Sequence, residues 1–336
     1  MTLTFALVVI VVIVALCFDF VNGFNDAANA IATIVVSKAL TPLQAVILAA
    51  AGNFFGCLFF GTAVAKMIGH GIVHIEGVTL TLLISTLFGA IAWQITTWRL
   101  ALPTSSSHAL IGGLIGSGIA SAGLKVVVWH GVFKIFAFII IAPAIGIIGS
   151  IIFSTIIIWI FHKTTPKVSD SIFKRLQLVT AAAVSIGHGT NDAQKTMGIV
   201  ALALYTGHLS NSFLTGEIDR WVVIAAYTAI SLGTLCGGWR IVKTMGTSIT
   251  KIRAMEGFCS NAAASVVLIA TAHAGIPVST THVIAGSIMG VGTVKQAGTV
   301  RWITARKIIW AWVITIPMAS ICAAVTYKLL TLFLPR

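Results

Sequence analysis

The 336 residues are 58% hydrophobic and only 9% charged, with a formal net charge of +13, where an ordinary soluble domain is about 45–50% apolar and about 25% charged. That balance leaves no soluble domain over and predicts an all-α polytopic membrane protein. The basic residues fall in short loops, which reads as membrane topology rather than nucleic-acid binding.

The chain opens Met1-Thr2-Leu3-Thr4 without a basic residue, so the first apolar run is expected to be a retained span rather than a signal peptide. That run, Leu3 to Ser37, amounts to roughly 50 Å of helix, more than a ~30 Å hydrocarbon core needs. A break is predicted at Gly23–Asp26, where Asp19, Asn22, Asn25, Asp26 and Asn29 crowd together. The next span is Leu43–Ala65, followed by a loop with Lys66, His70, His74 and Glu76. Val78–Trp98 and Ser105–Leu124 are separated by Leu102-Pro103-Thr104, and Gly131–Phe161 closes the first half. His162–Arg175 is a hydrophilic linker.

The second half repeats the plan. Leu176–Tyr205 is again over-long, with a break predicted at Gly189–Asp192. Trp221–Trp239 follows a polar loop, and a basic loop with Arg240, Lys243, Lys251 and Arg253 comes next. Ala254–Gly275 and Ser279–Val294 flank Pro277, a second basic loop holds Lys295, Arg301, Arg306 and Lys307, and Ile308–Leu334 ends the chain. The predicted architecture is therefore two inverted-topology repeats, residues 1–161 and 176–336, with broken helices and re-entrant helical hairpins, joined by a cytoplasmic linker, 162–175. The excess of basic residues on the linker side places both termini outside the cell membrane. Cys17, Cys57, Cys236, Cys259 and Cys322 are odd in number and scattered, so they form no disulfide framework and are expected to be small buried hydrophobes.

Two motifs carry the chemistry, each present once per half. Gly23-Phe24-Asn25-Asp26 returns as Gly189-Thr190-Asn191-Asp192. Ionisable groups at membrane depth are functional candidates. Asp26 and Asp192 are suited to hard cations or to carrying protons, and Asn25 and Asn191 can offer a carbonyl to a cation or an amide to an anion. His188 beside the second motif is a candidate proton relay.

Pro103-Thr104-Ser105-Ser106-Ser107-His108 returns as Pro277-Val278-Ser279-Thr280-Thr281-His282, each continued by His-x3-Gly-x3-Gly. Proline ends one helix and Ser or Thr caps the next. Hydroxyls and free N–H groups at a helix N-terminus make an anion site, and the glycine rows allow close helix approach. Two such tips meeting at mid-membrane could hold one small oxyanion between the halves. Lys195, three residues beyond Asp192, is placed to pair with it, the alternative being that it reaches the anion. Asp19 either lines the entry or sits at a polar break.

Both motifs, in both halves and in the same order, resemble the inorganic phosphate transporter (PiT) family over nearly the whole chain. The resemblance implies phosphate uptake by symport with Na+ or H+, no enzymatic activity and no cofactor beyond the coupling cation. It implies cation binding at Asn25, Asp26, Asn191 and Asp192, and phosphate binding at Ser105, Ser106, Ser107, Ser279, Thr280 and Thr281. The second motif departs from the first after its Asp, reading Ala193-Gln194-Lys195 against Ala27-Ala28-Asn29. Expected partners are inorganic phosphate, a monovalent cation and the lipid bilayer, with a homodimer left open and nucleic acid excluded. A sulfate permease of the same architecture is the alternative. An intramembrane aspartyl hydrolase using Asp26 and Asp192 leaves the hydroxyl-rich tips unexplained, and a passive anion channel would call for basic rings rather than buried acids.

Overall fold

The structure is a computed structural model that describes residues 2–58, 64–65, 71–215, 217–276, 278–295 and 297–333. Lys66, His70 and Pro277 lie outside the described residues. Eleven helices organise what is described: α1 Thr2–Val36, α2 Pro42–Phe55, α3 Leu80–Arg99, α4 Ser106–Ala122, α5 Trp129–Phe161, α6 Pro166–Thr206, α7 Arg220–Cys236, α8 Trp239–Lys243, α9 Ala254–His273, α10 Thr280–Lys295 and α11 Trp302–Leu330. A one-turn helix, Ser212–Thr215, lies between α6 and α7. The only β pairing among the described residues is an isolated bridge between Val73 and Val127. Five helices are long and apolar enough to cross a membrane, or six when the bent α7–α8 region counts as one span. Ile140, Ile148, Ile152 and Trp159 of α5, with Trp310 and Ile321 of α11, are exposed, as expected of surfaces that face lipid rather than water.

Local chemistry sets the helix starts. Thr41 caps α2, its hydroxyl accepting from Gln44 N while Gln44 Oε1 accepts from Thr41 N. Thr79 caps α3 in the same way through Leu82 N. Ser105 Oγ accepts from His108 N and Ser279 Oγ from His282 N, both at 3.2 Å, which starts α4 and α10. These side-chain acceptors satisfy amides that a helix start leaves unpaired.

The predicted helix breaks are not where the sequence suggested. α1 runs without interruption through Gly23–Asp26, and α6 through Gly189–Asp192. The glycines serve close approach instead of loosening the helix: a Cβ on Gly23 would collide with the Ile230 backbone of α7, and one on Gly189 with the Asn53 backbone of α2. The polar side chains beside them find partners across the bundle, so the backbone keeps its own ladder. The sharp bend lies elsewhere, 63° between α7 and α8, at Gly237, whose φ of +64° suits glycine. The hydrophilic linker is partly helical. α6 starts at Pro166 and absorbs most of 162–175 as exposed helical turns, with Lys174 and Asp170 paired one turn apart at 2.8 Å. α11 likewise begins at Trp302, before the expected Ile308. Of the five cysteines only Cys259 is buried; Cys17 and Cys236 are exposed, where a membrane would give an apolar thiol the same shelter as a protein core.

α1 and α6 form the centre and run antiparallel. Ser37 Oγ at the end of α1 donates to Gln177 Oε1 near the start of α6 at 2.7 Å, while Gly207 beyond the end of α6 meets Val8 near the start of α1. Each then passes through two hydrophobic clusters in opposite order. Val8–Phe18 of α1 share one cluster with Ala193–Leu204 of α6, and Ala27–Ile34 share the other with Ala181 and Val184. The polar stretches lie at the junction of the two clusters. The halves exchange partners reciprocally: α4 packs on α11 and α10 on α5. The predicted glycine rows make these contacts, Gly112 and Gly116 against the Ile316 and Ser320 backbone, Gly286 and Gly290 against the Pro143 and Ile147 backbone. Because neighbouring backbone cannot retreat as a side chain can, Gly116→Leu or Gly290→Leu is expected to cost at least about 1–3 kcal/mol. A thermal melt of the purified protein in detergent checks this; an unchanged melting temperature in both variants would contradict the packing.

Candidate functional site

Each half contributes a central helix and a capped helix tip, and the four meet at the cluster junction. Asp26 sits on α1 and Asp192 on α6, both buried. The tips abut each other: His108 and His282 rings are 4.7 Å apart edge to face, and His282 stacks on Trp312 at 3.9 Å. Trp312 Nε1 in turn donates to Pro103 O at 3.1 Å, tying the first tip to α11.

The central helix of one half holds the tip of the other. Thr281 Oγ1 donates to Asp26 Oδ1 at 3.1 Å, and Asn29 Nδ2 donates to Thr281 Oγ1 at 3.1 Å and Thr280 Oγ1 at 3.4 Å. In the mirrored place Lys195, the counterpart of Asn29, donates to Ser107 Oγ and pairs with Asp192 Oδ1 at 2.5 Å. Ser106 Oγ joins the two carboxylates, 3.3 Å from Asp26 Oδ2 and 3.2 Å from Asp192 Oδ2. Asn22 Nδ2 donates to Asp192 Oδ2 at 3.2 Å.

His188 completes the cluster. Its Nε2 lies 3.7 Å from Asp26 Oδ2 and 3.5 Å from Asp192 Oδ2. Its Nδ1 is 3.1 Å from Asn53 Oδ1. The chain of donors behind it fixes the proton: Thr234 Oγ1 donates to backbone carbonyls of Ile230 and Gly23, so it must accept from Asn53 Nδ2 at 2.8 Å. That turns the Asn53 carbonyl toward His188 and assigns the Nδ1–H tautomer. Nε2 faces the two carboxylates. One ligand atom each from Asp26, His188 and Asp192 lies within 4.8 Å of the others, a spacing at which the three could hold one cation.

The predicted site residues divide into those at the cluster and those that support it. Asp26, Asp192, His188, Ser106, Ser107, Thr280 and Thr281 come together. Ser105 and Ser279 spend their hydroxyl oxygens on helix caps. Asn25 and Asn191 turn their amides outward, Asn25 Nδ2 to Gln94 O of α3 at 3.4 Å and Asn191 Nδ2 to Leu268 O of α9 at 2.9 Å, while Asn191 Nδ2 also donates to Gly187 O. Their carbonyl oxygens are buried without a protein partner, so only that end is free for a cation. Asn53 and Thr234 were absent from the sequence prediction. The available signal was an amide and a hydroxyl on otherwise apolar helices, which carries weight only once their partners are known.

A model of the phosphate transporter family matches residues 22–323. A probable low-affinity inorganic phosphate transporter from Rhizobium meliloti is 48% identical over 327 residues, covering 97% of each chain. One of the same description from Bacillus subtilis is 42% identical over 335 residues, covering 99% of each. Among solved structures, one titled the sodium-dependent phosphate transporter superposes with a TM-score of 0.89 at 25% identity, over 98% of this chain and 100% of that one.

Proposed function

The chain belongs to the phosphate transporter family, and from that premise we propose that it imports inorganic phosphate together with cations by alternating access. The family is one of transporters, not enzymes, which sets the aspartyl hydrolase aside, and the relatives are described by phosphate rather than sulfate. The sodium-dependent neighbour favours Na+ as the coupling ion. The antiparallel α1 and α6, with their reciprocal partners, support two inverted repeats, 1–161 and 176–336, with the α3–α4 and α9–α10 pairs as re-entrant hairpins. The basic loops support a cytoplasmic linker at 162–175 and a plasma-membrane position with both termini outside.

The observation that carries the mechanism is that Ser106 and Thr281 donate to Asp26 and Asp192. The hydroxyls proposed for phosphate are held by the carboxylates proposed for the cation. A cation among Asp26, Asp192 and His188 weakens those carboxylates as acceptors, and the hydroxyls can then rotate to an oxyanion between the tips. The first-turn amides of α4 and α10 add donors there. Without the cation, phosphate meets two buried carboxylates and is repelled. Binding is thus ordered, cation before phosphate, and the site is complete only when both are present. Because each half holds the other's tip, rocking the halves opens one side as it closes the other.

The test is radiolabelled phosphate uptake into proteoliposomes under inward Na+ and H+ gradients imposed separately. The expected result is uptake driven by Na+ and not by a pH gradient alone. Uptake under neither gradient overturns the reading.

A further inference from the structure

Lys195 is the only Lys or Arg among the buried polar and charged residues described, and none of it is exposed. An ammonium has three protons to donate and accepts nothing. Two of them go to Asp192 Oδ1 and Ser107 Oγ, which leaves one for a further acceptor. Ser107 lies where the two tips touch. Its own proton goes to Val278 O at 3.4 Å, and Thr281 Oγ1 meets Thr104 O at 3.3 Å along the same seam. Ser105 takes the His108 and Ala109 amides through its hydroxyl and carbonyl oxygens. The Ser106 and Ser107 amides, at the start of α4, have no acceptor within the helix. The buried ammonium thus sits beside two open amides, at the seam between the tips.

The mirrored place is filled differently. Asn29 reaches the opposite tip with a neutral amide, bonding Thr280 and Thr281. A neutral donor is therefore enough to hold a tip. An ammonium in the same place is buried at a desolvation cost and adds a charge on a flexible four-carbon stem. Its counter-charge is Asp192, whose other oxygen, Oδ2, faces Asn22, Ser106 and His188. A cation held among Asp26, His188 and Asp192 competes with the ammonium for that carboxylate. The ammonium is then short of negative charge at the moment the site is to accept an anion.

We propose that Lys195 is a phosphate-binding residue that exchanges partners: it pairs with Asp192 while the site is empty, and with a phosphate oxygen once a cation occupies the carboxylates. This deepens the transport reading and rests on it. Nζ already bonds Ser107 at the seam, so the ammonium is in place for a ligand held there. The bond it forms is charge-assisted and stronger than those of the neutral hydroxyls, and it favours a doubly charged tetrahedral oxyanion over a singly charged one. Because cation and phosphate draw on the same ion pair, each tightens the other by one factor. Asn29 holds its tip without charge and takes no part in the exchange, so the two halves contribute unequally to the anion.

Equilibrium binding of radiolabelled phosphate to the purified full chain in detergent, in Na+ and in choline, tests the exchange. The wild type is expected to bind phosphate about tenfold or more tightly in Na+ than in choline. Asp192→Asn frees the ammonium without a cation, so in choline it is expected to bind phosphate about tenfold or more tightly than the wild type does. Asp192→Asn combined with Lys195→Met, which keeps the stem without its charge, should lose that gain. No gain in Asp192→Asn overturns the proposal. So does a gain that survives in the double variant, since removal of a repelling carboxylate then explains it. In proteoliposomes at saturating Na+, Lys195→Asn is expected to raise phosphate half-saturation about thirtyfold, the loss falling there rather than in the maximal rate per folded transporter. A lower maximal rate at unchanged half-saturation would make Lys195 a structural partner of Asp192 and overturns the proposal. If Asp192→Asn does not fold, the half-saturation of Lys195→Asn decides; if Lys195→Asn does not fold, the binding comparison decides. If the wild type binds phosphate but takes none up, the transport reading fails, while the binding comparison still tests Lys195.

Discussion

Phosphate uptake by Asp26→Asn or Asp192→Asn is expected to fall by two orders of magnitude or more, with membrane insertion intact. Asn keeps the shape and one carbonyl but removes the charge. Asp26 accepts from Thr281 and Asp192 from Asn22 and Lys195, and the single Ser106 proton is shared between the two carboxylates. Removing one member of a buried charged set costs about 3–5 kcal/mol, and each 1.4 kcal/mol is tenfold in occupancy. The two variants should differ in kind. Asp26→Asn loses the carboxylate that pairs with His188 rather than directly with Lys195, so cation binding suffers directly. Asp192→Asn also strands Lys195 as a buried cation, so stability falls as well. Initial-rate uptake, normalised to protein that elutes as a single species, measures both. Wild-type rates in both variants would remove the carboxylates from the mechanism.

Lys195→Met is expected to be the most destabilising single change at the site, at about 3–5 kcal/mol, because it leaves Asp192 without its ammonium. The diagnostic is non-additivity. Lys195→Met with Asp192→Asn removes both charges, and the double variant is expected to be more stable than the sum of the singles by more than about 1 kcal/mol. Thermal melts of the four proteins give the cycle. Simple additivity would mean that the contact between Lys195 and Asp192 contributes nothing. Lys195→Asn, which copies Asn29, separates charge from hydrogen bonding: it retains a donor for Ser107 but restores the demand for a further cation.

The sequence by itself determined the lipid environment, the repetition of both motifs and most of the residues at the centre. Lipid tolerates so few polar groups that Asp26, Asp192, His188 and the hydroxyl-rich tips stand out without any knowledge of the fold. The glycine rows after His108 and His282 were legible for a similar reason, since their spacing repeats a helix face. What the tertiary structure decided was which groups face each other. Gly23 and Gly189 read as helix breaks in one dimension, yet they are contact points for α7 and α2, and the actual bend falls at Gly237. Asn25 and Asn191 read as ligands, and packing adds that their amides tie α1 to α3 and α6 to α9 while the carbonyl oxygens stay unpartnered. Asp19 read as an entry or a polar break, and only packing shows that it is wholly buried, with neither carboxylate oxygen hydrogen-bonded among the described residues. Thr281 and Asp26 are 255 positions apart. Local sequence fixes the chemistry a residue can offer. Its partner is fixed by how antiparallel central helices bring the far half of the chain across, and no short-range pattern records that.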